Sequence, residues 1–289
     1  RARAELAHGA RVMSLGALGS LAATLPTQYL LYLLDWHHLL VAVAIIGFLS
    51  SLVLFGIVPE KRKAPKGDTL SGQIKGMATI YRDRLFWRFA PLYLTTTGST
   101  MAFQSLWAGP WLHDVGALDA ESVASHLFIL SVLQIASYFL VGSVATALGK
   151  RNVPLIRIVR VGSALYIATL MPLLMPTGMG MWSVILGIGL ISNVNTLCYP
   201  ILSQHFPAAM TGRATTALNS FFFVGAFFVQ FAIGLVIDLV PASEPGHYPA
   251  LAYQLAFAAM IGLQLCGWAW CLITPRKARA VAAIAEPGQ

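Results

Sequence analysis

One nearly uncharged stretch limits the fold of this chain more than any other feature. It runs from Phe206 to Pro241 as FPAAMTGRATTALNSFFFVGAFFVQFAIGLVIDLVP, and its only charged residues, Arg213 and Asp238, lie near opposite ends. At a rise of about 1.5 Å per residue, a helix of this length exceeds the roughly 30 Å apolar core of a bilayer. A buried helix of a soluble protein seldom runs so far with so few charges. The stretch therefore predicts a membrane-spanning helix.

The rest of the chain repeats this pattern. Of its 289 residues, 57% are hydrophobic and only 10% are charged, whereas soluble domains carry about 25% charged residues. We therefore predict an all-α membrane protein, a polytopic bundle of eight transmembrane helices, since each apolar segment is near or above the roughly 20 residues that a span needs. The segments are Val12–Leu34, Leu39–Val58, Phe86–Leu112, Ser122–Leu148, Val153–Met175, Gly180–His205, Thr211–Val240 and Tyr248–Ile273.

The charges between these segments predict their orientation. All 19 Lys and Arg lie in the opening, in alternate connections or in the tail, and the remaining connections carry only acidic charges. The positive-inside rule then places both termini in the cytoplasm. A net charge of +8 could also indicate a nucleic-acid partner, but membrane topology alone accounts for these positions. We therefore expect membrane lipid, and no nucleic acid, as a partner.

The longest and most basic connection covers residues 59–85. A helical period within it indicates a short amphipathic helix on the cytoplasmic membrane surface. The apolar residues that share this face are Leu70, Ile74, Met77, Tyr81 and Leu85.

Two distant segments share a pattern of polar residues. Arg11 is followed seventeen residues later by Gln28, and Asp35 closes the segment; Arg213 is likewise followed by Gln230 and closed by Asp238. The match is short, so chance is the alternative. If it is a repeat, the two helices are equivalents six helices apart, which is typical of transporters built from two similar halves.

One loop and the overall topology resemble a known family. Gly142 to Arg151 reads GSVATALGKR, which resembles the cytoplasmic-loop motif G-x-L-a-D-r-x-G-r-k of the major facilitator superfamily. Gly142, Gly149, Lys150 and Arg151 match, whereas Thr146 stands where the motif has Asp. The eight helices resemble the fifth to twelfth of the twelve in that family, and the basic connection resembles its linker between halves.

The resemblance implies a domain division and a function. Residues 1–58 would hold the last two helices of the first half, 59–85 the linker with its surface helix, 86–275 the second half and 276–289 a cytoplasmic tail. The implied function is transport of a small polar solute by alternating access in a bacterial inner membrane. No cofactor is implied, and the missing amino-terminal helices of the same polypeptide would be a partner.

Helix placement by resemblance also selects polar residues for a substrate cavity. Amides and hydroxyls within a membrane need a partner or a wet cavity, because burying them unpaired costs about 1–3 kcal/mol. Hydrogen bonding between helices is the alternative explanation for each. The cavity candidates are Thr24, Gln28, Thr97, Gln104, Gln134, Tyr138, Asn195, Tyr199, Asn219 and Gln230. The gating and loop candidates are Gly109, Pro110, Gly142, Gly149, Lys150, Arg151, Arg213 and Asp238.

Other functions have less support in the sequence. A transporter-derived sensor that binds without transporting is the first alternative. A membrane-embedded enzyme is the second, but no nucleophile–base pair converges at depth, and we expect neither an enzyme nor a metal site. The three cysteines lie in apolar runs without metal-ligand spacing. The middles of the eight segments contain no Asp, Glu, Lys or Arg, so any proton-coupling group is expected outside them.

Overall fold

The computed structural model describes residues 25–57, 70–176, 180–242 and 247–273, which are helical apart from short connections and contain no β-strand. The α-helices of these ranges, in chain order, are α1 (Leu25–Leu33), α2 (Trp36–Ile57), α3 (Leu70–Arg82), α4 (Arg84–Ala102), α5 (Ala108–Asp114), α6 (Ala120–Gly149), α7 (Leu155–Thr169), α8 (Met181–Leu190), α9 (Cys198–His205), α10 (Ala208–Ile237) and α11 (Ala250–Leu272).

The prediction of an all-helical membrane protein is confirmed, although with fewer demonstrable spans than predicted. Within the described ranges, six helical segments are long and apolar enough to cross a membrane. They are Trp36–Ile57, Ala120–Gly149, Leu155–Leu174, Met181–His205, Ala208–Ile237 and Ala250–Leu272. The first predicted segment begins outside the described residues, and the third, α4–α5, contains a run of threonine and serine that lowers its hydropathy. The count of eight and the orientation of the termini stay predictions.

Short connections with defined caps separate the long helices. The Asp83 carboxylate accepts hydrogen bonds from the backbone N–H groups of Leu85 at 2.8 Å and Phe86 at 2.9 Å, and Asp119 accepts one from Ser122 at 3.1 Å. These caps satisfy donors that the first helical turn leaves free. Because the connections are short, successive long helices run in opposite directions. We call the end of the bundle that carries Arg84, Lys150, Arg157 and Arg213 the basic end, and the end that carries Asp114, Asp119 and Asp238 the acidic end.

Helix α4 lies in the middle of the described bundle, packed against α10 and α11. Towards the acidic end, Phe103 meets Phe257 and Trp111 with ring centroids 5.4 and 6.0 Å apart. Towards the basic end, Phe86 and Phe89 are buried in a second apolar cluster. These contacts bury one side of α4 and of the segment that follows it. The half-buried sides of α4 and its neighbours can hold polar groups.

Two of the predicted spanning segments leave α-helical geometry in mid-length. Phe103–Trp107 forms a π-helical turn in which the N–H of Ala108 bonds to the carbonyl of Phe103. Pro110 follows closely and offers no N–H to the carbonyl of Leu106, so the irregular turn lies immediately before this proline. The segment Met181–His205 contains a 3₁₀ turn at Ser192–Leu197. Such breaks are frequent at functional sites.

The helix predicted in the basic connection is present as α3. Of the predicted apolar face, Met77, Tyr81 and Leu85 pack against the second apolar cluster, which also holds the fully buried Ile80, whereas Ile74 is 61% exposed. A Cβ added at Gly76 would lie 2.6 Å from a guanidinium nitrogen of Arg213 in α10. The position of this helix on the membrane surface stays a prediction.

Helix α2 stands apart from the packed core. None of its residues is buried, and Phe55 is 91% exposed. Within the described ranges α2 packs against α1, and α1 packs against α6. An apolar helix with this much exposed surface needs lipid or further helices around it.

Gln264 in α11 gives a stability prediction. Its side chain is fully buried, and neither amide atom has a hydrogen-bond partner among the described residues. An unpaired buried polar group costs about 1–3 kcal/mol, and leucine fills a similar volume without that cost. We expect Gln264→Leu to raise the melting temperature of the purified protein in detergent.

Gln254 in the same helix provides the matched control. Its amide nitrogen donates to the carbonyl of Leu174 at 2.9 Å, so Gln254→Leu leaves that carbonyl without its donor and should not stabilise. If Gln264→Leu lowers the melting temperature as much as Gln254→Leu does, the idea that the unpaired Gln264 amide destabilises the folded protein is wrong.

Candidate functional site

The first part of the candidate site is a pair of glutamines from two helices. The amide nitrogen of Gln104 donates to the carbonyl oxygen of Gln134 at 3.0 Å, and the amide nitrogen of Gln134 donates back at 2.9 Å. Gln104 lies in the π-helical turn and Gln134 lies in α6, and both side chains are half-buried. The Asn193 amide donates to the main-chain carbonyl of Gln134 at 3.3 Å. Three segments thus contribute amides to one place.

The second part is a chain of hydroxyl and amide groups nearer the basic end. The Tyr93 hydroxyl donates to the Tyr199 hydroxyl at 2.7 Å, and the Tyr199 hydroxyl donates to the side-chain oxygen of Asn219 at 3.1 Å. Tyr93 is 3% exposed, whereas Asn219 is exposed, so the chain leads from the core to the surface. Tyr138 on α6 lies near Tyr199, and its side chain is half-buried.

The glutamine pair and the tyrosine chain share the segment formed by α4 and the π-helical turn, and they lie at different depths along it. Eleven residues separate Tyr93 from Gln104 on α4 and the π turn, which corresponds to about 16 Å of helix. Within the described ranges, no Asp, Glu, Lys or Arg lies in the middle of a long helix. We call the half-buried and exposed side chains of Gln104, Gln134, Tyr138, Asn193, Tyr199 and Asn219 the polar face. It offers hydrogen-bond donors and acceptors but no charge.

The structure places three other cavity candidates away from these hydrogen bonds. Asn195 is 1% exposed and accepts a hydrogen bond from the Ser163 hydroxyl at 2.7 Å, so its side chain lies in the core behind the polar face. The Thr97 hydroxyl is buried without a partner among the described residues. The main-chain carbonyl of Gln230 accepts a hydrogen bond from the Trp107 indole at 3.3 Å. Thr24 and the side chain of Gln28 lie outside the described residues.

The gating candidates lie at the two ends of the bundle. Gly142 and Gly149 lie in the last two turns of α6, and Lys150 and Arg151 form the exposed turn that follows at the basic end. Arg213, near the start of α10, lies against α3, as described above. Their positions are compatible with a gating role, which stays a prediction.

Towards the acidic end, Gly109 and Pro110 lie in the first turn of α5, just after the π-helical turn. Asp238 follows α10 and accepts a hydrogen bond from the Tyr248 hydroxyl at 2.9 Å. That hydrogen bond and the negative charge of Asp238 raise the pKa of Tyr248. The contact joins the end of α10 to the start of α11.

A cluster of ionisable groups at the acidic end was not found from the sequence. The Asp114 carboxylate, whose side chain is 5% exposed, is within hydrogen-bond distance of His113 Nδ1 at 3.0 Å and His247 Nδ1 at 2.8 Å. Its other oxygen accepts bonds from the Tyr253 hydroxyl at 2.7 Å and the Tyr248 N–H at 3.2 Å. Burial alone would raise the pKa of Asp114, but these four hydrogen bonds outweigh it and lower the pKa to about 2.

Three functional candidates were therefore missed: Tyr93, Asn193 and the histidine–aspartate cluster. A signal existed only for Asn193, which lies beside the predicted Asn195 in a polar run, SNVNT. Tyr93 reads as an ordinary aromatic residue of an apolar segment. His247 is separated from Asp114 by 133 residues, so no local spacing could have indicated their contact.

The sequence of this chain matches a known protein family. The family model described as Major Facilitator Superfamily matches residues 7–230, which is well over half of the chain. The match extends from the first predicted segment into α10. No curated protein matches the chain.

Proposed function

The chain belongs to the major facilitator superfamily, a family of membrane transporters, and from this premise we propose that it moves a small uncharged polar solute by alternating access. The observation that carries this proposal is the polar face. It collects amides and phenols from the helices that resemblance assigns to the central cavity, and it holds no charged side chain among the described residues.

The chemistry of the polar face favours a neutral solute over an ion. A charged solute that leaves water needs an opposite charge to offset the loss of hydration. Amide and phenol groups both donate and accept hydrogen bonds, which suits hydroxyl or amide groups of a solute. The reciprocal pair of Gln104 and Gln134 satisfies itself when no solute is bound, and each amide can exchange its partner for a solute group at little cost.

The path of the solute follows from the two ends of the bundle. We propose that the turn after α6, with Gly149, Lys150 and Arg151, belongs to the gate at the basic end, and that the break at Gly109 and Pro110 belongs to the gate at the acidic end. A π-helical turn interrupts the regular backbone hydrogen bonds of an α-helix. Such an interruption lets α5 tilt relative to α4 without unfolding either helix.

The place of these helices in the whole transporter is also part of the proposal. Helix α3 precedes the segments from α4 to α11, as the linker between halves precedes the second half of a twelve-helix transporter. We propose that α1 and α2 close the first half, and that further amino-terminal helices of the same polypeptide complete the cavity. The charge distribution then puts the basic end in the cytoplasm of a bacterial cell.

Uptake by cells that express the gene for this chain tests the proposal. We expect Gln134→Ala to raise the half-saturation concentration for the transported solute about fivefold, since one hydrogen bond contributes about 1 kcal/mol and a tenfold change corresponds to about 1.4 kcal/mol. Gln264→Leu, at equal expression, is the control because Gln264 lies in the core away from the polar face.

Two results would contradict the proposal. Equal effects of the two substitutions would mean that the polar face only holds helices together. Solute binding without flux would mean that the protein senses a ligand and does not transport it.

A further inference from the structure

The cluster at the acidic end brings ligand atoms from two distant parts of the chain to one point. His113 and Asp114 end α5, and His247 precedes α11. One ligand atom from each of the three residues lies within 4.8 Å of the other two. The two imidazole rings are stacked with centroids 5.0 Å apart, so that both Nδ1 atoms face the same carboxylate oxygen of Asp114. The side chains of His113 and His247 are 50% and 47% exposed, so the space between the three ligand atoms is open to solvent.

The carboxylate is held in place by groups that do not themselves face the histidines. The Tyr253 hydroxyl and the Tyr248 N–H both bond to Oδ2 of Asp114, at 2.7 and 3.2 Å, and leave Oδ1 directed at the two Nδ1 atoms. In metal sites, outer hydrogen bonds of this kind orient the coordinating carboxylate, and losing one typically costs about 10–100-fold in metal affinity.

We propose that His113, Asp114 and His247 bind a divalent transition-metal ion, for which Zn²⁺ has the best-matched chemistry. Two imidazole nitrogens and one carboxylate oxygen are ligands that Zn²⁺ accepts at about 2.0–2.2 Å, and exposure leaves a fourth position for water. The ion takes the place of the protons now shared between the Nδ1 atoms and Oδ1. Ca²⁺ and Mg²⁺ prefer all-oxygen sites, so the two histidines select against them.

The bound ion would connect the end of α5 to the chain segment that leads into α11. These elements are joined at this point by the hydrogen bonds to Asp114, by the stacked imidazole rings and by apolar packing. The site is thus placed to stiffen the acidic end of the bundle, next to the break at Gly109 and Pro110.

Metal titration of the purified 289-residue chain tests the site, with an affinity tag other than polyhistidine. We expect one equivalent of Zn²⁺ to bind and to raise the melting temperature, and Co²⁺ to bind competitively with a visible d–d spectrum of nitrogen and oxygen ligands. His113→Gln and His247→Gln should each weaken binding at least about tenfold, and the double variant should abolish the spectrum. Both side chains are half-exposed, so these variants should fold.

His37→Gln is the matched control. His37 Nδ1 also lies beside a carboxylate, Asp35, at 3.1 Å, but among the described residues Asp35 and His37 belong to no group of three ligand atoms. Zn²⁺ binding that is unchanged in the double variant, or that His37→Gln weakens equally, would overturn the proposal. A Zn²⁺ affinity no higher than that for Mg²⁺ would overturn it as well.

Discussion

Substitution of Gly225 by alanine should be among the most destabilising single-methyl changes in the long helices of this protein. Gly225 on α10 faces α4, where an added Cβ would meet the carbonyl oxygen of Leu94 and lie 3.0 Å from its carbonyl carbon. The opposing atoms are backbone, which cannot swing aside as a side chain can. Overpacking costs about 1–3 kcal/mol and occasionally more, and we expect the upper part of this range.

The same close approach is visible from the other helix. A Cβ added at Gly98 on α4 would lie 2.6 Å from the carbonyl carbon of Gly225 and 2.8 Å from its Cα. Small residues let helix backbones approach in a membrane, where packing replaces the hydrophobic effect as the driving force. Gly98→Ala should therefore lower the melting temperature to a similar extent as Gly225→Ala, through the same contact.

Gly212, also on α10, separates this effect from helix propensity. An added Cβ there meets no heavy atom within 4 Å among the described residues. Alanine is favoured over glycine in a helix by roughly 0.5–1 kcal/mol, so Gly212→Ala should leave the melting temperature unchanged or raise it. The measurement is thermal unfolding in detergent together with the monodisperse fraction. A Gly225→Ala variant that melts like Gly212→Ala would show that α4 and α10 do not approach so closely.

Loss of the Tyr199 hydroxyl should have the largest effect on the polar face. Tyr199 accepts a hydrogen bond from Tyr93 and donates one to Asn219, so Tyr199→Phe breaks both. The Tyr93 hydroxyl, in a residue that is 3% exposed, then loses its acceptor at a cost of about 1–3 kcal/mol. Asn219 also loses the donor that orients it. We expect a lower melting temperature and at least a tenfold weaker solute affinity.

Tyr93→Phe has a different expected result although it breaks the same hydrogen bond. It removes the buried hydroxyl itself and leaves Tyr199 bonded to Asn219, so stability and affinity should change little. The double variant Tyr93→Phe/Tyr199→Phe should melt above the single variant Tyr199→Phe, because no buried hydroxyl is left unpaired. Additive losses in the double variant would contradict this hydrogen-bond chain. Unfolding and uptake, measured for all three variants, decide between these outcomes.

The sequence alone determined the class of the protein and the presence of its helices. Long apolar runs such as Phe206–Pro241 can satisfy their backbone groups in a membrane only as helices, so composition and length suffice. The same holds for α3, whose helical period is local. Met77 and Tyr81 of its predicted apolar face pack against the bundle. The close approach of Gly76 to Arg213 could not be predicted, because it is made across the fold and the apolar pattern of one helix does not contain it.

The tertiary structure decided which polar residues meet. Helical spacing grouped Ser192, Asn195 and Tyr199, but the 3₁₀ turn at Ser192–Leu197 advances each residue by 120° instead of 100°, about 120° over six residues. Asn195 therefore points into the core to Ser163, while its neighbour Asn193 reaches α6. A 3₁₀ turn of this kind depends on packing, and the spacing of polar and apolar residues did not predict it.

For the same physical reason, contacts between distant segments could not be predicted from the sequence. Gln104 and Gln134 are 30 residues apart, Tyr93 and Tyr199 are 106 apart, and Asp114 and His247 are 133 apart. Periodicity shows which residues share a face of one helix, but not which helix that face meets. That choice is made where backbones can approach, as at Gly98 and Gly225, and the polar side chains of the neighbouring turns are brought together as a consequence.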